Sequence, residues 1–186
     1  MKLASWLLSV AVLVSGARAA EQTLQIDAAR SRVDVVVKAT VDSFVGRLEA
    51  YEAAIGVDAA AGELRSARFG FHFADVKTGK SDRDEQMNAW QDTAHHPDGE
   101  FVMTSLARVE GALIATGTLR LHDMAREISF PVSVSHEGGL FAIDGDATID
   151  TRDFGLPVIK KFLVLKVDPE VHVRFHLQGS AVTSAK

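Results

Sequence analysis

Residues 171–177 read VHVRFHL, with Val171, Val173, Phe175 and Leu177 on one parity and His172, Arg174 and His176 on the other. Successive side chains of a strand point to opposite faces, so this segment has one dry face and one wet face. The same period of two recurs from Ser31 onward. RVDVVVKAT aligns Val33, Val35 and Val37, ARFGFHF aligns Phe69, Phe71 and Phe73, and FVMTSLARV begins with Phe101 and Met103. LIATGTLRL carries Leu119 and Leu121, ISFPVSV aligns Ile128, Phe130, Val132 and Val134, and FAIDGDATID aligns Phe141, Ile143, Ala147 and Ile149. A helix would repeat its apolar positions every 3.6 residues, so this chain is read as all-β. Turn residues at Glu110-Gly111 and Gly138-Gly139 separate the runs at hairpin intervals. About eight strands result, counting a less regular one from Leu48 to Val57, and they suit either a sandwich or an up-and-down barrel. A barrel of that size is either filled by side chains or holds one small ligand.

One interval breaks the rhythm. In SDRDEQMNAWQDTAHHPDG, Ser81 followed by Asp84 predicts a helix cap, with a short helix over about 82–90. Met87 and Trp90, three apart, share a face of that helix and are expected to cover one end of a barrel.

The first residues, MKLASWLLSVAVLVSGARA, carry a lysine, an apolar run from Leu7 to Val14, and small residues at Ala17 and Ala19. This is the pattern of a secretory signal peptide with cleavage after residue 19. Residues 20–186 are then one domain exported to the periplasm. The apolar run is shorter than the roughly 20 residues that span a bilayer, and no second run follows, so no stable membrane span is expected. The formal charge of −5 becomes two more negative once Lys2 and Arg18 leave with the leader. No basic cluster is available to neutralise phosphates, which argues against nucleic acid as a partner. With no cysteine, neither disulfides nor thiolate chemistry is open to the chain.

The histidines invite an enzymatic or metal reading. His172 and His176 share a strand face, but four residues along a strand separate them by roughly 13 Å, too far for one ion. His95 and His96 adjoin Asp92 and Asp98 in a polar loop without the spacing of a metal-binding helix. A base built on His95 or His122 is the enzymatic alternative. Ser81 lies in no nucleophile elbow. No catalytic residue, metal site or cofactor is expected.

The stretches SRVDVVVKATVDSFVGRLEAYEAAIGVD, KSDRDEQMNAW, HPDGEFVMTSL, GTLRLHDMAREISFPVSV and TIDTRDFGL follow one another as they do in the YceI-like family of polyisoprenoid-binding proteins, which the chain resembles across its mature length. Asp123 stands where the family often has glycine, and NAWQDTAH replaces a segment closer to RSPDFFDV. The resemblance implies a single antiparallel, lipocalin-like barrel that buries an isoprenoid chain, such as a polyprenyl or quinone tail, and implies no catalysis. The inward parities would then line a tunnel with Val33, Val35, Val37, Phe69, Phe71, Phe73, Phe101, Met103, Leu119, Leu121, Ile128, Phe130, Ile149, Val173 and Phe175. Met87, Trp90 and Phe154 would join them, and the small residues Ala67, Ser105, Gly145 and Ala147 would leave space. No charged side chain belongs to that lining, and the lipid is expected to enter near residues 81–98. A homodimer is compatible with this reading. The alternative is a solid barrel that acts in stress or assembly through its outer surface.

Overall fold

A computed structural model describes residues 22–40, 43–161 and 165–182; the expected leader, 1–19, lies outside them. The strands are β1 (Gln22–Ile26), β2 (Arg32–Ala39), β3 (Phe44–Leu48), β4 (Glu52–Asp58), β5 (Glu63–His72) and β6 (Val76–Lys77). After the helix α1 (Ser81–Trp90) come β7 (Asp98–Val109), β8 (Ala112–Leu121), β9 (Met124–Glu137), β10 (Leu140–Asp150), β11 (Lys160–Lys161) and β12 (Leu165–Val182).

These segments form a barrel of eight staves. β1 and β2 both run antiparallel to β12, through Thr23↔Val182 and Val33↔Phe175, and so make one interrupted stave. β4 pairs with β1 while β3 pairs with β2, and β5 pairs with β4 while β6 pairs with β3, which gives two more. β7, β8, β9, β10 and β12 supply the rest, and the β1–β12 ladder closes the ring. Closure leaves no sheet edge around most of the circumference.

Three successive hairpins have two-residue turns with positive φ at both positions: Glu110-Gly111, His122-Asp123 and Gly138-Gly139. Such turns match the right-handed twist of the strands they join. His122 and Asp123 hold this conformation (φ 50° and 59°) without a glycine. That geometry explains why glycine suits the second turn position, and Asp is among the residues that tolerate it.

Fully buried side chains close both ends. At the end carrying the Glu110-Gly111 and Gly138-Gly139 turns, Phe141, Val57 and Leu24 are 0%, 0% and 2% exposed. At the end carrying α1, Phe154, Leu121 and Phe73 are buried. The helix spans Ser81–Trp90, slightly more than expected, and its capping differs from the expected box. Ser81 lies inside the first turn, Lys80 is the N-cap and makes no side-chain cap, and the Asp84 carboxylate reaches back to accept from the Thr78 amide and hydroxyl (3.0 and 2.6 Å). Arg83 lies over the Phe44 ring at 4.3 Å, and the Trp90 indole N–H donates to the Pro157 carbonyl at 2.8 Å. No residue of the helix is buried, so it covers the barrel end lightly. Among the described residues no helix is long and apolar enough to cross a membrane.

Candidate functional site: an apolar cavity inside the barrel

The inward faces of the staves do not meet. They enclose a cavity of about 150 Å³, lined by apolar residues together with Arg68, and no polar surface faces it. Arg68 touches the edge of the space while its guanidinium turns outward to the Glu100 carboxylate (Nε–Oε1 2.6 Å).

Period-two reading places most of this wall. Val33, Val35, Phe69, Phe71, Phe101, Met103, Leu119, Leu121, Ile128, Phe130, Ile149, Val173 and Phe175 all line the cavity. Val37 is buried but does not line it; it pairs with Phe44 and Val171 toward the helix end. Phe73 sits in a 3₁₀ turn (Phe73–Asp75) beyond the end of β5, its ring 5.2 Å from that of Phe71, and closes the end instead. Phe154, in a second 3₁₀ turn at Thr151–Phe154, is 1% exposed and plugs the same end. Met87 packs half-buried against the core and Trp90 is tied to Pro157, and neither reaches the cavity.

Other lining residues were not predicted as such: Leu48, Ile55, Leu64, Val76, Ala115, Val132, Ile143 and Leu177. Val132, Ile143 and Leu177 lie on the parities already recognised in their strands, so continuing the alternation would have found them. Ala115 likewise keeps the parity of Leu119 and Leu121 on β8, Leu64 adjoins the bulge at Arg65, and Leu48, Ile55 and Val76 come from the short strands of the interrupted staves.

Ser105 does not face inward. The β7–β8 register shifts between Met103 and Ser105, so Ser105 opposes Thr116 and Leu106 opposes Ala115. A bulge at Thr104 therefore inverts the remainder of β7. Leu106 turns in, Val109 turns out to 52% exposure, and Arg108 opposes inward-facing Leu113.

Three glycines shape the cavity floor. A Cβ on Gly99 would collide with the Phe71 ring, one on Gly117 with the Phe101 ring, and one on Gly145 with the Phe175 ring. The rings of Phe101 and Phe130 lie 5.3 Å apart and those of Phe130 and Phe175 6.0 Å apart, a chain of aromatic contacts along the wall.

The wet face of VHVRFHL carries an ion-pair ladder on the barrel exterior. His176 meets Asp144 at 2.7 Å, Arg174 meets Asp146 at 3.0 Å, and His172 lies 3.4 Å from Asp146. His95 and Asp92 pair at 2.8 Å, which raises the imidazole pKa and lowers that of the carboxyl. The His96 ring lies tilted against that of His122, centroids 4.0 Å apart, and meets Asp123 at 2.8 Å. Among the described residues no three His, Cys, Asp or Glu side chains converge as a metal would require.

Residues 24–179 match the family model of the YceI-like domain. The chain belongs to the YceI-like family. Its fold is shared by BcnA of Burkholderia cenocepacia, at a TM-score of 0.73 and 24% identity over 84% of this chain and all of that one. A YCEI protein of Campylobacter jejuni superposes with a TM-score of 0.64 at 16% identity, over 75% of this chain and 86% of that one. A polyisoprenoid binding domain from Saccharophagus degradans, implicated in plant cell wall breakdown, gives 0.62 at 17% identity, over 87% and 99%. No curated protein sequence matches the chain.

Proposed function

We propose that this YceI-like protein is exported to the periplasm and holds the tail of an isoprenoid lipid, a polyprenyl chain or quinone tail, in its barrel for storage or transport. The observation that carries this reading is the closed barrel around a cavity with no polar surface. A prenyl tail offers almost nothing but apolar area, and each buried CH₂-sized group contributes about 0.8 kcal/mol, so binding needs no specific polar contact. Among the described residues no acid, base or nucleophile lines the space, which favours non-covalent binding over turnover by His95 or His122.

The volume limits the mode of binding. A cavity of about 150 Å³ in an engineered protein core stays dry and takes up benzene, so the space as it stands suits on the order of one isoprene unit. A longer tail requires the half-buried rings of Phe101 and Phe175 to swing aside. Side chains in close-packed interiors do exchange rotamers.

Two substitutions test the reading. Phe71→Asp places a charge on the wall and is expected to abolish retention of a bound quinone or polyprenol. Ala147→Leu fills the space with apolar atoms and is expected to weaken binding while the barrel stays folded. Folded variants that carry the same lipid load as the parent would refute the assignment of this cavity as the site.

A further inference from the structure

A tail of this kind needs a way in, and both barrel ends are sealed by buried side chains. Besides the unpaired outer edge of β6, where Val76 and Phe73 are buried, the hydrogen-bonded wall has three interruptions among the described residues. Between β1–β2 and β3–β4 the gap is filled by Leu24, Leu48 and Ile55, all buried, and by Tyr51 stacked on Phe69 at 5.1 Å. Between β9 and β10 the ladder stops at Val132↔Gly145, and the turn after β10 fills the opening with buried Phe154 and Leu156. The third interruption lies between β5 and β7. Their pairing covers only Arg68↔Val102 through His72↔Asp98, although β5 begins at Glu63 and β7 runs on to Val109. Neither 65–68 nor 103–109 contains a buried residue.

Two bulges face each other across this third break. On β5 the register skips Arg65, between Val57↔Leu64 and Gly56↔Ser66, and on β7 it skips Thr104. Bulges bend their strands and re-aim side chains, and here they splay the two strands from the last shared rung. The cavity reaches this point, since Ala67, Arg68, Phe69, Phe101 and Met103 all line it. Beyond the break the end of the barrel is pinched, because a Cβ on Gly62 would stand 3.0 Å from the His136 imidazole of β9. The opening is therefore confined to the side wall.

The β7 bulge also turns a charge to the inward parity at the far end of the break, six residues beyond Val102. Arg108 lies on the inward-facing row that runs through Leu113, Val132, Gly145, Phe175 and Val33, and it is exposed, with no carboxylate at ion-pair distance among the described residues. Arg65, by contrast, is held by Asp58 and Glu63 (2.9 Å each), and Arg68 by Glu100. A guanidinium in that place is suited to a phosphate or carboxylate, which it binds through paired N–H donors.

We propose that ligands enter and leave through the wall between β5 and β7, at Ala67–Arg68 and Val102–Met103, and that Arg108 at the far end of this break takes an anionic head group while the tail lies in the cavity. This rests on the lipid-binding reading above. It replaces the expected way in near residues 81–98, where Phe73 and Phe154 close the barrel. The Arg68–Glu100 pair spans β5 and β7 at the start of the opening and acts as a latch.

The chain has no cysteine, so paired cysteines can be bridged unambiguously with a short bis-maleimide. Ala67→Cys/Met103→Cys locks the side opening, and Trp90→Cys/Pro157→Cys locks the helix end. Uptake of farnesol and farnesyl phosphate is followed before and after bridging. The side lock is expected to stop uptake of both and the helix-end lock to leave it unchanged; the reverse pattern overturns the proposal. Absence of uptake by the parent and both unbridged variants would instead refute lipid binding itself. Because Ala67 and Met103 line the cavity, Glu100→Gln gives an independent readout outside it. Breaking an exposed ion pair is expected to speed uptake and release about two- to fivefold with affinity unchanged, and unchanged rates count against the latch. Arg108→Ala is expected to weaken farnesyl phosphate roughly tenfold and farnesol not at all. Equal effects on the two ligands overturn the head-group assignment.

Discussion

The ring of Phe175 on β12 lies over Gly145, its direct partner on β10, so closely that a methyl group on the glycine would overlap the ring edge. Phe71 covers Gly99 and Phe101 covers Gly117 in the same way. Glycine in a strand loses stability for want of a side chain to pack, and it is placed where another group approaches closely. Here the approaching group is an aromatic ring, and the three rings laid against the wall leave the centre open. The space inside the barrel therefore depends on what the glycines lack.

Gly145→Ala should drive the Phe175 ring into the cavity. Overpacking of this kind costs about 1–3 kcal/mol, and tail binding should weaken in step. Denaturant unfolding and quinone titration check both. Undiminished binding would mean that the ring has somewhere else to go.

Phe141 and Phe101 should behave oppositely on truncation. Phe141 is 0% exposed and plugs the end opposite the helix, so Phe141→Ala should cost about 3–5 kcal/mol. Phe101 already borders empty space, so Phe101→Ala should cost less and tighten binding of longer tails. Equal losses of stability, with no gain for long tails, would show that the Phe101 ring serves only the core.

Much of this was legible in the sequence, and the failures have a common cause. Alternation marked the strands and most of the wall, because a strand of fixed parity cannot hide which face it buries, while the choice of barrel over sandwich came from the family resemblance. Alternation failed at Ser105 because the bulge at Thr104 adds one residue to β7, and nothing in FVMTSLARV marks it. The expected lining free of charge missed Arg68, whose stem borders the cavity while its guanidinium turns outward to Glu100. Ser81 followed by Asp84 carries a capping pattern, but Thr78 competes for the Asp84 carboxylate and takes it. Phe73 and Phe154 have the right composition for a lining and the wrong backbone, since 3₁₀ turns carry both away from the strands.

Trp90→Phe should loosen the helix without closing the site. The lost bond to Pro157 is worth about 1 kcal/mol, so amide exchange over Ser81–Trp90 should quicken. Quinone affinity should stay at the parent value, because Trp90 does not line the cavity. A loss of affinity would place the helix in the site.

Acid should loosen the β4–β5 turn through one carboxylate. Asp58 accepts from Arg65 (2.9 Å) and from the amides of Ala61 and Ala60 (3.0 and 3.1 Å), and the Arg65 guanidinium and these amides hold its pKa below the usual 3.8. A depressed carboxyl pKa stabilises the fold above the unfolded value, and that contribution is lost as pH falls through the folded one. Protection of the Ala60 and Ala61 amides should therefore drop below about pH 3.8. Asp58→Asn should show low protection with no such step, and a step that persists in the variant would assign it to another group.

The central claim is that the dry faces of these strands surround a lipid and not only one another. Mass spectrometry of the purified protein under non-denaturing conditions, with solvent extraction of whatever it carries, tests this most directly. The account predicts a stoichiometric adduct that releases an isoprenoid, or uptake of one equivalent of added quinone or polyprenol. A bare polypeptide that takes up neither would contradict it and leave the barrel's outer surface as the functional one.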